Sequence, residues 1–357
     1  MYFIKIIGLT IFLTIFSIAK CIDGYELSSE SRIAVEICKK GNTIVQIIDL
    51  NKEGKVKFLH NQVKVDKNLF ELKYIDTMWN DFKNSEPKAV SIVNGTFFDG
   101  GKPYKVGDKR KLAYVLKDNN NLITTGYDTR EPHLRRLRIN GNRATVDFYP
   151  DYSDDNYVLG GLDSNKDKHN WLPGVARTLI GTNEYGNKIY ILSTEGMLVY
   201  SAKSILESFG AASDQIMMLD AGGSAQYRSN KYKIIGDDGN KGRPIPQAIG
   251  TIGGKGKNSY SHKITKNKGF YREPNKRYFK TNKNGEILAE LVGPLSSSID
   301  LDLYLYKWNG KKWEKVAKSI SNSSHEYISY TAKKGEYYTY IIQSYKGKGN
   351  YKMYLDY

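Results

Sequence analysis

Two apolar runs, 33–37 and 43–49, flank the turn formers Lys40-Gly41-Asn42, a pattern that predicts two strands and, most simply, a hairpin. In 68–82 the apolar residues Leu69, Leu72, Ile75, Met78, Trp79 and Phe82 recur at helical spacing, which predicts an amphipathic helix ahead of a strand at 89–93. A second helix is expected at 202–209, closed by Gly210, with a strand at 215–219 after it. Between them lie apolar runs at 175–180 and 188–193, joined by the turn Asn183-Glu184-Tyr185-Gly186-Asn187. Helices interspersed with hairpin-like strands predict an α+β domain, a mixed sheet with packed helices.

The pattern changes from Gly253. Residues 255–280 are basic, polar and poor in aliphatics, and read as a linker. Beyond them 287–292, 298–307, 314–317, 326–330, 336–344 and 351–357 alternate over short stretches broken by Gly, Asn and Ser, the pattern of a small all-β sandwich, jelly-roll-like, over 281–357. A chain of 357 residues exceeds one ordinary single core, so two domains are expected.

At the N-terminus, Lys5, the apolar stretch 6–16 and Ser17-Ile18-Ala19 read as an export signal, 1–19, cleaved after Ala19. A membrane anchor is the second reading, against which the apolar run is too short to span a bilayer, and lipid attachment at Cys21 is the third, which Lys20 fits poorly. The remainder is expected to be secreted or held at the cell surface, with no integral membrane segment. There Cys21 and Cys38 meet an oxidising environment, either bridged or as two free thiols.

The formal charge of +16 invites a nucleic-acid reading, but the lysines are scattered among Asn, Gly and Tyr and form no recognition motif. No nucleic-acid partner is expected. Phosphate polymers and anionic polysaccharides are, drawn by a field that salt weakens.

Three polar clusters stand where apolar strands begin or end: Asn94-Gly95-Thr96-Phe97-Phe98-Asp99, Arg177-Thr178-Leu179-Ile180-Gly181, and Asp220-Ala221-Gly222-Gly223-Ser224. Glycines let the backbone turn and bring N–H groups against an anion, although Gly-Gly is also ordinary in a tight turn. Arg177 carries a planar fork of donors suited to phosphate, or to a structural ion pair. Asn94-Gly95-Thr96 is formally a glycosylation acceptor, but its place at a strand end reads as part of a site. Glu195, in Thr194-Glu195-Gly196, and Arg243, ahead of the apolar residues near 248, complete the candidates. The five histidines show no metal-ligand spacing and no Gly-Xaa-Ser-Xaa-Gly elbow occurs, so no metal is assigned at the site. In the tail, Asp300 and Asp302 alternate on one face, either as ordinary solvated carboxylates or as partial ligands for Ca²⁺.

Over residues 30–254 these clusters resemble the phosphodiester glycosidase family, whose patterns read Asn-Gly-Gly-Phe-Phe, Arg-Thr-Ala-Ile-Gly and Leu-Asp-Gly-Gly-Gly-Ser-Ser. The tail, through Asp300-Leu301-Asp302-Leu303-Tyr304, Gly335-Glu336-Tyr337-Tyr338 and Gly347-Lys348-Gly349-Asn350-Tyr351, resembles the bacterial pre-peptidase C-terminal domain. The resemblance implies a hydrolase acting on a phosphate-linked sugar. Asp220, Glu195 and Asp99 are then the candidate catalytic acids. Asn94, Gly95, Arg177, Thr178, Gly222, Gly223, Ser224 and Arg243 are the candidate substrate-binding residues. Ala221 departs from the pattern, adding a Cβ that strains the loop if the backbone there is left-handed. A non-catalytic carbohydrate-binding accessory protein is the alternative.

Overall fold

The computed structural model describes residues 21–64, 68–128, 133–148, 151, 153–165, 174–236, 239, 241–294 and 296–357. The expected export signal lies outside them. About half of the chain is strand and, among the described residues, only two α-helices occur, which corrects the α+β expectation to a mostly β architecture. The added strands come largely from 109–163, where segments such as Leu134–Asn140, with three arginines, are too polar to announce themselves by alternation.

An 11-stranded antiparallel sheet has at its centre Thr43–Asp49, Lys188–Thr194, Arg177–Thr182, Ile216–Met218 and Tyr157–Asp163, in that order. A second sheet of five strands runs Lys233–Ile235, Gln226–Arg228, Ala89–Asn94, Gln247–Ile252 and Lys55–His60. The two pack face to face. Ile44, Ile48, Ile180, Ile191 and Met217 from the first meet Phe58, Val90, Val93 and Ile249 from the second. Each outer face carries a helix: Ile75–Ser85 lays Met78, Trp79 and Phe82 on the five-stranded sheet, and Val199–Ser208 lays Val199, Ala202 and Leu206 on the larger one. Alternation of side chains therefore turns one face of each sheet into the space between them and the other toward a helix or solvent.

The helix expected at 68–82 begins only at Ile75. Leu69–Glu71 is a short strand paired with Gln62–Lys64, and the burial of Phe70 and Leu72 follows a period of two rather than that of a helix. Cys21 and Cys38 form a disulfide that ties the start of the described chain to the strand Val35–Lys40. No helix among the described residues is long and apolar enough to cross a membrane.

The C-terminal part is a sandwich. One sheet runs Asn258–Ile264, Gly349–Asp356, Gly285–Val292, His325–Ala332, and the other runs Phe270–Glu273, Tyr337–Lys346, Asp300–Trp308, Trp313–Ser319, with Phe279–Lys280 added on Tyr337–Lys346. The stretch read as a linker, 255–280, thus contributes strands to both sheets. Its pattern hid them because Asn258–Ile264 is an edge strand with one half-exposed and one exposed face, and needs few aliphatics. Asp300 and Asp302 are not a plain solvated face: Asp302 is buried and accepts a hydrogen bond from the Tyr304 hydroxyl at 3.1 Å. Among the described residues no group of three or more His, Cys, Asp or Glu gathers as metal ligands would.

Candidate functional site

The strand Arg177–Thr182 starts at the edge where Lys188–Thr194 and Ile216–Met218 both end. Leu179 pairs with Met218, and the Leu219 amide donates to the Thr178 carbonyl at 2.9 Å, so the same register brings Asp220 opposite Arg177. On the far flank Leu162 pairs with Met218, which carries Gly160 beside Asp220, while Thr194 pairs with Arg177. Thr194 and Arg177 are thus paired on adjacent strands, and the register of Ile216–Met218, continued two residues past its end, leads Asp220 to their level and to that of Gly160. Opposed residues of an antiparallel pair share a face. Arg177 lies on the side that the helix Val199–Ser208 covers: its Nε donates to the Met197 carbonyl at 3.3 Å, and Nη1 lies 3.9 Å from Met218 Sδ. It is only 1% exposed, among the largest fully buried side chains.

Thr178, the next residue, points the other way, into the space between the sheets, and there meets Asn94 at the end of Ala89–Asn94. The Asn94 amide is fully engaged. Its Oδ1 accepts from Thr178 Oγ1 at 2.6 Å and the Gln226 amide at 3.0 Å, and its Nδ2 donates to the carbonyls of Asp220 at 2.8 Å and Gly95 at 3.3 Å. These bonds account for the capacity of an asparagine side chain, so Asn94 clamps the two sheets together and positions Asp220. It has no group left for a sugar hydroxyl, and at 1% exposure it is no glycosylation acceptor either. Gly95 is required by packing: a Cβ there would fall 1.4 Å from Gln247 Oε1, the atom that accepts the Thr96 amide.

After Asp220 the chain enters a short 3₁₀ turn, Gly222–Ser224. Ala221 sits in extended backbone, φ −121° and ψ −178°, which any L-residue adopts, so the strain expected of its Cβ does not arise. The left-handed position is Gly222, at φ +62°. Its amide donates to the Ala176 carbonyl at 3.0 Å and is therefore not turned toward a ligand. Ser224 is wholly buried and accepts from Arg243 Nη1 at 3.2 Å. The Arg243 amide donates to the Gly223 carbonyl, and its guanidinium lies 4.5 Å above the Tyr104 ring, half-buried at the surface of the loop.

The remaining carboxylates divide. Asp99 Oδ1 accepts from the Lys111 amide at 2.7 Å, and beside it the Phe98–Leu112 bridge leads to Tyr127, whose amide donates to the Leu112 carbonyl. Tyr127 is the residue that motif reading missed. It is 49% exposed, and its hydroxyl is pushed above its ordinary range by the desolvation of its buried part and then by the charges of Asp99, Asp128 and Asp220. Two predicted candidates from distant loops, Asp99 and Asp220, thus act electrostatically on the same tyrosine. Glu195 stands apart: it is exposed, its Oε2 accepts from Asn42 Nδ2 at 2.6 Å, and it follows Thr194, on the side of Arg177 away from Asp220. Tyr127 and Asp128 carry no motif, and only their shared neighbours would have singled them out.

Among solved structures the chain is similar to the catalytic domain of zebrafish N-acetylglucosamine-1-phosphodiester alpha-N-acetylglucosaminidase auto-inhibited by its pro-peptide, at 15% identity over 64% of this chain and 88% of that one, with a TM-score of 0.42. It is also similar to the pre-peptidase C-terminal domain of a Bacillus anthracis collagenase, at 16% identity over 28% of this chain and 88% of that one, TM-score 0.23. A third is the Yersinia pseudotuberculosis-derived mitogen, at 17% identity over 28% and 83%, TM-score 0.24. No protein-family profile matches the chain.

Proposed function

We propose that this chain is an exported hydrolase that cleaves a sugar 1-phosphodiester in a glycan or envelope polymer. The observation that carries the reading is that the register of Ile216–Met218 on Arg177–Thr182 leads Asp220 to the level of Arg177, while Asp99 and Asp220 both act electrostatically on Tyr127. Phosphate leaves the anomeric carbon as a stable anion, so the leaving group needs little protonation. The chemistry then asks for one carboxylate at the anomeric centre and a cation for the phosphate. Asp220 takes the proton of the attacking water as the C1–O bond breaks. Arg243, at the surface of the loop, meets the departing phosphomonoester, and the buried Arg177 adds positive potential from below. Asn94, Thr178 and Ser224 hold these groups in place. The disulfide suits an oxidising compartment outside the cytosol, at the cell surface or beyond it.

The test is incubation of the purified chain with a methyl phosphodiester of an N-acetylhexosamine 1-phosphate, scoring free sugar and methyl phosphate together. Release of both in equal amounts supports the reading. Saturable binding with no release would replace it with the accessory, carbohydrate-binding function. That alternative has lost one of its grounds, since Ala221 adopts an unstrained backbone.

A further inference from the structure

The second C-terminal sheet buries Leu301, Leu303, Leu305, Tyr338, Tyr340 and Ile342 in the sandwich core, so alternation turns the intervening residues outward. Trp308 pairs with Trp313 across the hairpin, and the register that sets Tyr306 opposite Thr339 brings Tyr337 alongside Trp308. Tyr278 completes the surface. Its ring centroid lies 5.9 Å from Trp313 and 5.6 Å from Tyr337, and Trp308 and Trp313 are 5.5 Å apart. Tyr278 is 56% exposed and Trp308 37%, an arrangement that the sandwich core does not need.

The border of this surface is basic. Lys280 Nζ stands 5.2 Å over the Tyr337 ring and Lys315 Nζ 5.1 Å over Tyr304, while Lys311 and Lys312 are exposed on the turn that joins the two tryptophan strands. Glu314, on the strand that follows that turn, is held by Asn309 Nδ2 at 2.6 Å. Electron-rich ring faces attract the C–H edges of a pyranose, and rigid aromatic side chains lose little entropy when they do so. Ammonium groups beside them complement carboxylate, sulfate or phosphate substituents.

We propose that this face is a binding site for an acidic polysaccharide, whose sugar rings stack on Tyr278, Tyr337, Trp308 and Trp313 while its anionic groups meet the bordering lysines. The site is separate from the Asp220 loop and does not depend on hydrolysis there. It would hold the chain on a charged polymer, so that the strand-end site works along a tethered substrate.

The experiment is affinity electrophoresis of the exported chain in native gels containing polygalacturonate, chondroitin sulfate or neutral dextran, with labelled oligothymidylate as a competitor. Both acidic polymers should retard the protein more than dextran does, and about 0.5 M salt should weaken the effect. Trp308→Ala with Trp313→Ala should lower the affinity about tenfold or more. Tyr278→Ala, at an exposed position that a fold tolerates, and the pair Lys280→Gln with Lys315→Gln should each reduce it without altering circular dichroism. The proposal is overturned if neither acidic polymer retards the wild-type chain, if Tyr278→Ala and the lysine pair both bind as wild type, or if oligothymidylate displaces the glycans at lower concentration than free glycan does.

Discussion

Arg177 and Asp220 stand at the same level on adjacent chain segments, one residue beyond the hydrogen bond from the Leu219 amide to the Thr178 carbonyl. The charge of Asp220 also acts on Tyr127, and its Oδ1 accepts from the Ala221 amide at 2.9 Å, a bond that an asparagine oxygen can keep. Asp220→Asn should therefore leave the fold and its melting midpoint intact while lowering release of sugar from a 1-phosphodiester by about 100-fold or more. A variant that turns over at the wild-type rate would remove Asp220 from the mechanism.

The two residues after Asp220 should respond in opposite ways. Gly222→Ala places a Cβ at φ +62° and is expected to cost about 1–2 kcal/mol in urea unfolding. Ala221→Gly, at φ −121°, relieves no strain and only adds freedom to the unfolded chain, so it should destabilise by less than about 1 kcal/mol and leave turnover unchanged. A gain in stability or rate from Ala221→Gly would mean that the loop is strained after all.

A cavity of about 920 Å³ between the two parts of the chain is lined by Glu36 and Glu286, with Lys52, Lys188 and Asp49 nearby. Glu36 Oε2 is buried without a hydrogen-bond partner, and burial, followed by the charge of Glu286 and with Asp49 adding to it, pushes its carboxyl up to about 8 against the pull of Lys188 and Lys52. Between its unfolded value of 4.5 and about 8, the folded chain holds a proton that the unfolded chain has released. Stability from this group is therefore greatest at low pH, falls as pH rises through that window, and levels off above it. Glu36→Gln should flatten the profile and raise stability near pH 8 by on the order of 2–4 kcal/mol, read from denaturant midpoints at about pH 5 and about pH 8. An unchanged slope would show that Glu36 titrates normally.

The bridge between Cys21 and Cys38 spans 17 positions. Replacing both cysteines by serine should lower stability by about 3 kcal/mol through the freedom returned to the unfolded chain. The check is calorimetry with and without the bridge, and melting points that coincide would contradict it.

Much of the scaffold was readable in the order of residues. Thr43–Asp49, Lys188–Thr194 and Ala89–Asn94 show themselves as apolar runs because central strands are buried on both faces. The tail strands show themselves by alternation, since one face of each meets a core. The edge strand Asn258–Ile264 did not, because little of it is buried, and Leu134–Asn140 did not, because two of its arginines are held by acids, Arg135 by Asp163 and Arg138 by Asp155 and Asp147.

The same division runs through the site. That glycines and carboxylates stand at strand ends is a local property, written in the order of residues and in the backbone freedom that only glycine has. Whether Asn94 faces a ligand or clamps two sheets, whether Arg177 is buried, and that the charges of Asp99 and Asp220 act on one tyrosine depend on hydrogen-bond register and sheet packing between segments as much as 132 residues apart, as Asn94 and Gln226 are. A local pattern tells which side of a strand is apolar. It holds no record of the strand that lies alongside, and that neighbour decided the chemistry.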